Sequence, residues 1–181
     1  NLQKQPIEFT RMLLAFKQEM DDLLAYSFQN HMKFQKARDN SFQEFMNECM
    51  FSATYIAQFA DKELREGLKG ADDAEVEKRL SAIINLFLCL HGRDAFIKQY
   101  QKELASRLLN KSSISQEFEE KMLQKLKMEC GVNQVNKMTQ MFKDIQLSKD
   151  LQAEFCQSNG GSNLVQGVEF NVEVLTQGTW P

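Results

Sequence analysis

Arg93-Asp94-Ala95-Phe96-Ile97-Lys98-Gln99-Tyr100-Gln101-Lys102-Glu103-Leu104-Ala105-Ser106-Arg107-Leu108-Leu109 decides the fold. Phe96, Tyr100, Leu104 and Leu108 step by four, and Lys98, Gln101 and Lys102 fall on the other side, as in a helix with one buried face. Immediately upstream, Leu80, Ile83, Ile84, Leu86, Phe87, Leu88 and Leu90 cover nearly the whole circumference of a helix that ends at Gly92. A helix apolar all round is wrapped by others, which predicts the central member of a bundle. Downstream, Asn110 to Ser113 reads as a turn. Ser115 then caps a helix on which Phe118, Met122, Leu126 and Cys130 again step by four as far as Gly131.

The pattern extends in both directions. Toward the N-terminus, Asp72 and Asp73 cap the Leu80 helix, and Glu75 and Glu77 complement its positive end. Tyr55, Ile56, Phe59, Ala60, Leu64 and Leu68 share a face before Gly70, a residue suited to the left-handed position that ends helices. Phe34, Ala37, Phe42, Phe45 and Met46 mark a less regular helix interrupted at Asp39-Asn40. Met12, Leu13, Phe16, Met20, Leu23, Leu24 and Phe28 put one apolar stripe on a first helix that Pro6 starts. Toward the C-terminus, Val135, Met138, Phe142 and Ile145 keep phase. Leu147, Leu151 and Phe155 are shifted, which predicts a kink or short break around Gln146 to Ser148.

After Phe155 the composition changes. Residues 158–167, beginning Ser158-Asn159-Gly160-Gly161-Ser162-Asn163, have little to bury and read as a linker. Val168, Phe170, Val172 and Val174 alternate with Glu169, Asn171 and Glu173, the period of a strand with one wet face. A lone strand leaves its N–H and C=O groups without partners. Val168 to Leu175 is therefore expected to be poorly ordered or to pair with another molecule, and the C-terminus reads as a boundary inside a longer protein. The fold class is all-α, with a short β-strand at the C-terminus that belongs to an incomplete α/β domain.

Composition narrows the function. Among 181 residues, 43% are apolar and 10% aromatic, enough for a sizeable core, and the formal net charge of −3 is interleaved rather than blocked, which argues against nucleic acid. The longest apolar run, Leu86 to Leu90, is far short of the roughly 20 residues of a bilayer span, and no leader opens the chain, so no membrane partner is expected. Cys49, Cys89, Cys130 and Cys156 are too far apart for a zinc knuckle and suit reduced thiols in the cytoplasm or nucleus.

Catalytic, metal and cofactor motifs do not emerge. His31 and His91 are the only histidines, and no His-Glu-x-x-His, Cys-x-x-Cys, phosphate loop or Gly-x-Ser-x-Gly is present. Asp21-Asp22, Asp72-Asp73 and Glu119-Glu120 are candidates for acid/base pairs, but neighbours on a helix diverge by about 100 degrees, which favours caps and solvated faces. Cys130 is a candidate reactive thiol with no cation evident to stabilise its thiolate, so a packing role is favoured. Lys121, Lys125 and Lys127 read as a basic strip for an acidic partner or as a solvated face.

A set of words in fixed order carries a family resemblance: Phe87 to Phe96, Ala105-Ser106-Arg107-Leu108-Leu109, Lys125-Leu126-Lys127-Met128-Glu129-Cys130-Gly131 and Met141-Phe142-Lys143-Asp144-Ile145 through Lys149-Asp150. Together with Phe59-Ala60-Asp61-Lys62-Glu63-Leu64, Glu75 to Leu80 and Gly178-Thr179-Trp180-Pro181, these resemble the cullins. Ser106, Gln124 and Asn133 to Asn136 depart from the usual family residues.

The resemblance implies a non-catalytic scaffold of a multisubunit cullin-RING ubiquitin ligase, without cofactor or metal. It assigns residues 1–50 to the end of the last cullin repeat, 51–157 to a four-helix bundle, 158–167 to a linker and 168–181 to the first strand of a truncated cullin homology domain. By similarity, a RING-H2 protein joins the sheet to which Val168, Phe170, Val172, Val174 and Trp180 belong, by β-augmentation. A substrate receptor or adaptor, the ubiquitin-charged E2 and a ubiquitin-like modifier are implied through regions beyond this chain. Two other classes remain open: a helical tether or adaptor unrelated to ubiquitin, and an enzyme or carrier with an apolar cavity lined by Phe87, Tyr100 and Met122.

Overall fold

A computed structural model describes residues 5–157 and 171–181. Seven α-helices follow one another among these residues: α1 (Pro6–Phe28), α2 (Met32–Glu48), α3 (Ser52–Lys62), α4 (Asp73–Leu88), α5 (Arg93–Leu109), α6 (Gln116–Cys130) and α7 (Val132–Gln157). The all-helical expectation holds. The predicted linker, Val168 and Phe170 lie outside the described residues.

The local signals act where the sequence places them. Pro6 opens α1, the Asp72 carboxylate accepts the Glu75 N–H at 2.8 Å at the start of α4, and the Ser115 hydroxyl accepts the Glu117 N–H at 3.1 Å at the start of α6. Gly131 follows α6 with φ +82°, a backbone state that only glycine adopts freely. α3 continues into a π turn, Glu63–Gly67, where the Leu64 carbonyl accepts the Ile114 N–H from the turn before α6 at 3.0 Å. A Cβ at Gly67 would lie 2.6 Å from Glu63 Oε1, so a larger residue there would displace the Glu63 carboxylate.

A continuous core runs from Leu13 and Phe42 through α3, α4 and α5 to Met138 and Met141 of α7. α4 touches α3, α5 and α6, as its apolar circumference implies. The most enclosed helix is nevertheless α3, with seven of its eleven residues buried and α1, α4 and α5 around it. Ala53, Ala57 and Ala60 explain this, since small side chains let neighbouring helices close in while adding little to a hydrophobic pattern. α3 thereby contacts α1 as well as α4 and α5.

Three expectations need correction. α7 is unbroken from Val132 to Gln157, and the phase shift at Leu147 and Leu151 reflects exposure of both side chains rather than a kink. α2 likewise runs through Asp39-Asn40 without a break. The stripe on α1 is not a buried stripe. Leu13 and Leu24 are covered, but Met12 and Phe16 are each 49% exposed and, with Phe9, Leu13 and Phe45, line an open apolar groove of about 500 Å³.

α1 and α2 are fastened to the rest by directional contacts. Phe9 packs edge-on to Tyr55 with centroids 5.6 Å apart. The Asn47 amide donates to the Cys89 carbonyl and its oxygen accepts the His91 N–H, both at 2.9 Å, joining α2 to the α4–α5 turn. No described helix is long and apolar enough to cross a membrane.

Candidate functional site

Residues 171–181 are seated on α7 and α5. Ser148 Oγ accepts the Val174 N–H at 2.7 Å and donates to the Val174 carbonyl at 3.3 Å, giving Val174 the pair of bonds that an adjacent strand would give. One turn earlier on α7, the Asp144 carboxylate accepts four donors. Oδ2 takes the Thr176 N–H and the Trp180 indole N–H, each at 2.8 Å, while Oδ1 takes the Thr176 hydroxyl at 2.8 Å and the Gln140 amide at 2.9 Å. From α5, Gln101 donates to the Thr179 carbonyl at 3.0 Å. Thr179 N–H closes a tight turn onto the Thr176 carbonyl at 3.2 Å, with Gly178 at φ +78°.

No strand ladder forms among the described residues, and 171–176 has no regular secondary structure. The expectation of poor order is corrected for 171–175: the N–H and C=O of Val174 bond to a side chain of the same chain, Ser148. Val172 and Val174 are partly exposed, 42% and 46%, whereas Trp180 packs against the core. Asp144, Ser148 and Gln101 were not anticipated. Gln140, Asp144 and Ser148 step by four beside the apolar stripe of α7, and that polar stripe was the available signal.

Burial pushes the Asp144 carboxyl up, but the Thr176 N–H, the Trp180 indole, the Gln140 amide and the Thr176 hydroxyl outweigh it and hold it at about 2, below its ordinary 3.8. A depressed carboxylate stabilises the folded form above its unfolded value and loses that contribution as pH falls. The stability advantage of the native chain over Asp144→Asn should therefore be full above pH 3.8, shrink below it and vanish as pH passes about 2, as read by urea unfolding at a series of pH values.

A buried ion cluster ties α3, α5 and α6 together. Arg107 is 0% exposed and grips Glu119, 1% exposed, with two parallel bonds of 2.6 and 2.8 Å, while its third nitrogen reaches Asp61 at 2.7 Å. Ser113 donates to Glu119 at 2.7 Å, and Arg65 donates to both Asp61 oxygens and to Ser112. The guanidinium also lies over the Tyr100 ring, 5.3 Å from its centroid. Burial works against the Arg107 charge, but the bonds to Glu119 and Asp61 more than offset it and hold the guanidinium protonated more firmly than usual.

The candidate acid/base residues resolve into structural roles. Asp72 is a cap, and Asp21 pairs with Lys17 and Arg38. Glu119 departs from the expected solvated face, being sealed in the core against Arg107. Lys121 pairs with Asp73 and Glu117, and Lys125 with Glu77 and Ser81, so these two lysines bind α6 to α4. The Cys130 thiol donates to the Leu126 carbonyl at 2.8 Å, and burial pushes its pKa up, away from thiolate chemistry. Among the described residues, no group of His, Cys, Asp or Glu is arranged to hold a metal ion. Phe87, Tyr100 and Met122, the expected lining of a carrier cavity, are fully buried parts of the packed core.

The family model for the cullin alpha solenoid domain matches residues 1–152. Over 178 residues the chain is 38% identical to Cullin-3A of Arabidopsis thaliana, covering 98% of this chain and 24% of that protein. The chain belongs to the cullin family. It is also 39% identical over 170 residues to Cullin-4A of Homo sapiens, covering 93% of this chain and 22% of that protein. The cullin segment thus spans about a quarter of the length of the curated relatives it matches. In this cullin, the words that carried the resemblance do identifiable work. Arg93 donates to the Leu88 and Leu90 carbonyls at the end of α4, Arg107 centres the ion cluster, Asp144 holds the tail and Trp180 is its apolar anchor.

Proposed function

We propose that this cullin segment is a stiff, non-catalytic joint in the scaffold of a cullin-RING ubiquitin ligase. In this reading residues 1–50 finish the helical stalk, 51–157 form the bundle, and the chain from Val168 onward enters the RING-binding sheet. α3 is shared between the first two parts. The exposed groove of Phe9, Met12, Phe16 and Phe45 suits further helices of the stalk. A RING-H2 protein would add a strand alongside Val168, Phe170, Val172 and Val174, with Trp180 anchoring that sheet to the bundle. A substrate receptor, the charged E2 and a ubiquitin-like modifier would engage regions outside residues 1–181, in the cytoplasm and nucleus.

The observation that carries the reading is the filled core pinned by Arg107, Glu119 and Asp61. A scaffold raises rate by keeping two partners at a high effective concentration, and it does so only if the connector between them is rigid. The test is to purify the full-length protein that contains this segment together with a RING-H2 subunit. The expected result is a stable complex that discharges ubiquitin from a charged E2, while the full-length chain without the RING subunit does not. A full-length chain that fails to retain any RING-H2 subunit would overturn the proposal.

A further inference from the structure

We infer that Asp144 and Ser148 are positioning residues that fix the direction in which the chain leaves the bundle. The seat has three separate points of attachment: Ser148 at Val174, Asp144 at Thr176 and Trp180, and Gln101 at Thr179. The first two lie one turn apart on α7 and the third lies on α5. Three points that are not in line fix an orientation, whereas a single contact leaves a pivot.

The bonds add direction to an incomplete apolar burial in this stretch. Val172, Val174 and Leu175 keep 42%, 46% and 39% of their surface exposed, so apolar burial is incomplete from 172 to 175. The Asp144 carboxylate, by contrast, is 3% exposed with both oxygens saturated. Hydrogen bonds of this kind are directional, and donors matched to one carboxylate hold a single pose where an apolar patch would accept several. The turn at Gly178 completes the device by bringing Trp180 back to the carboxylate that already holds Thr176. Resting on the scaffold role proposed above, the consequence is that Asp144 sets the angle between the bundle and the RING-bearing sheet.

Trp180 is the only tryptophan, so its emission reports the seat directly. In the 181-residue chain, Asp144→Ala is expected to red-shift Trp180 emission and to speed amide exchange at Val174 and Thr176 at least tenfold, with helical circular dichroism retained. Thr176→Val, which removes one donor outside the helices, should give a smaller change of the same sign. In the full-length complex, Asp144→Ala should keep the RING-H2 subunit bound while slowing ubiquitin transfer several-fold. Unchanged emission and exchange in both variants would overturn the seat, and unchanged transfer in a variant whose tail is released would overturn its role in setting the angle. Failure of the unmodified full-length protein to bind a RING-H2 subunit counts against the scaffold reading alone, because the emission and exchange arms do not depend on it.

Discussion

Arg107→Ala is expected to lose about 3–5 kcal/mol of folding stability, a large share of the roughly 5–15 kcal/mol that holds a domain together. The cost comes from what stays behind. Glu119 is 1% exposed, and after the substitution its carboxylate would lose both guanidinium bonds and keep the Ser113 hydroxyl against the desolvation of a buried charge. Asp61 suffers less, because Arg65 still donates to both of its oxygens. Replacing both partners by apolar residues, as in Arg107→Met with Glu119→Leu, should recover most of the loss, since it removes the stranded charge as well as the pair. Urea unfolding followed by far-ultraviolet circular dichroism measures both variants. A loss below about 1 kcal/mol for Arg107→Ala, the range of a surface ion pair, would show that the cluster is solvated.

Phe87→Ala is expected to cost about 3–5 kcal/mol for a different reason, the cavity it leaves. Phe87 has no exposure, packs on Phe96 with ring centroids 4.9 Å apart, and has the Arg93 guanidinium 5.6 Å from its own ring centroid. Phe96 in turn stacks on Tyr100, which underlies Arg107. This continuous row cannot collapse at one end without disturbing the ion cluster at the other, so the cavity should stay largely open. Tyr26→Ala is the control: at 88% exposure it should change stability by no more than about 0.5 kcal/mol. A loss at Phe87 no larger than at Tyr26 would contradict the packing described.

Much of the helical plan was legible because caps and periods are local. Pro6, Asp72, Ser115 and Gly131 act within one turn of their own position, and neighbours in sequence suffice to read them. The interior ion cluster was not legible. Arg107 meets Asp61 across 46 positions, and nothing in the residues around Glu119 separates a buried glutamate from the exposed Glu117 and Glu120 on the same helix. The tail was half legible. Alternation at 168–174 predicts an extended chain in need of partners, but those of Val174 and Thr176 lie 26 and 32 positions back, on the polar side of a helix whose period is carried by its apolar residues. α3 was underrated because alanine registers weakly on any scale of greasiness while permitting the closest approach of neighbours.

The fork of Arg107 also indexes the helices. Methyl against methyl looks much the same after a small slide, so an interface made only of Leu and Met tolerates creep along its length. Two parallel bonds to Glu119 and a third to Asp61 match at one setting only. Displacing α5 by one turn, about 5.4 Å, would strand the Arg107 and Glu119 charges in the interior, while Asp61 would keep Arg65. The cluster therefore acts like a key in a shaft, matching α5 to α3 and α6 at one register.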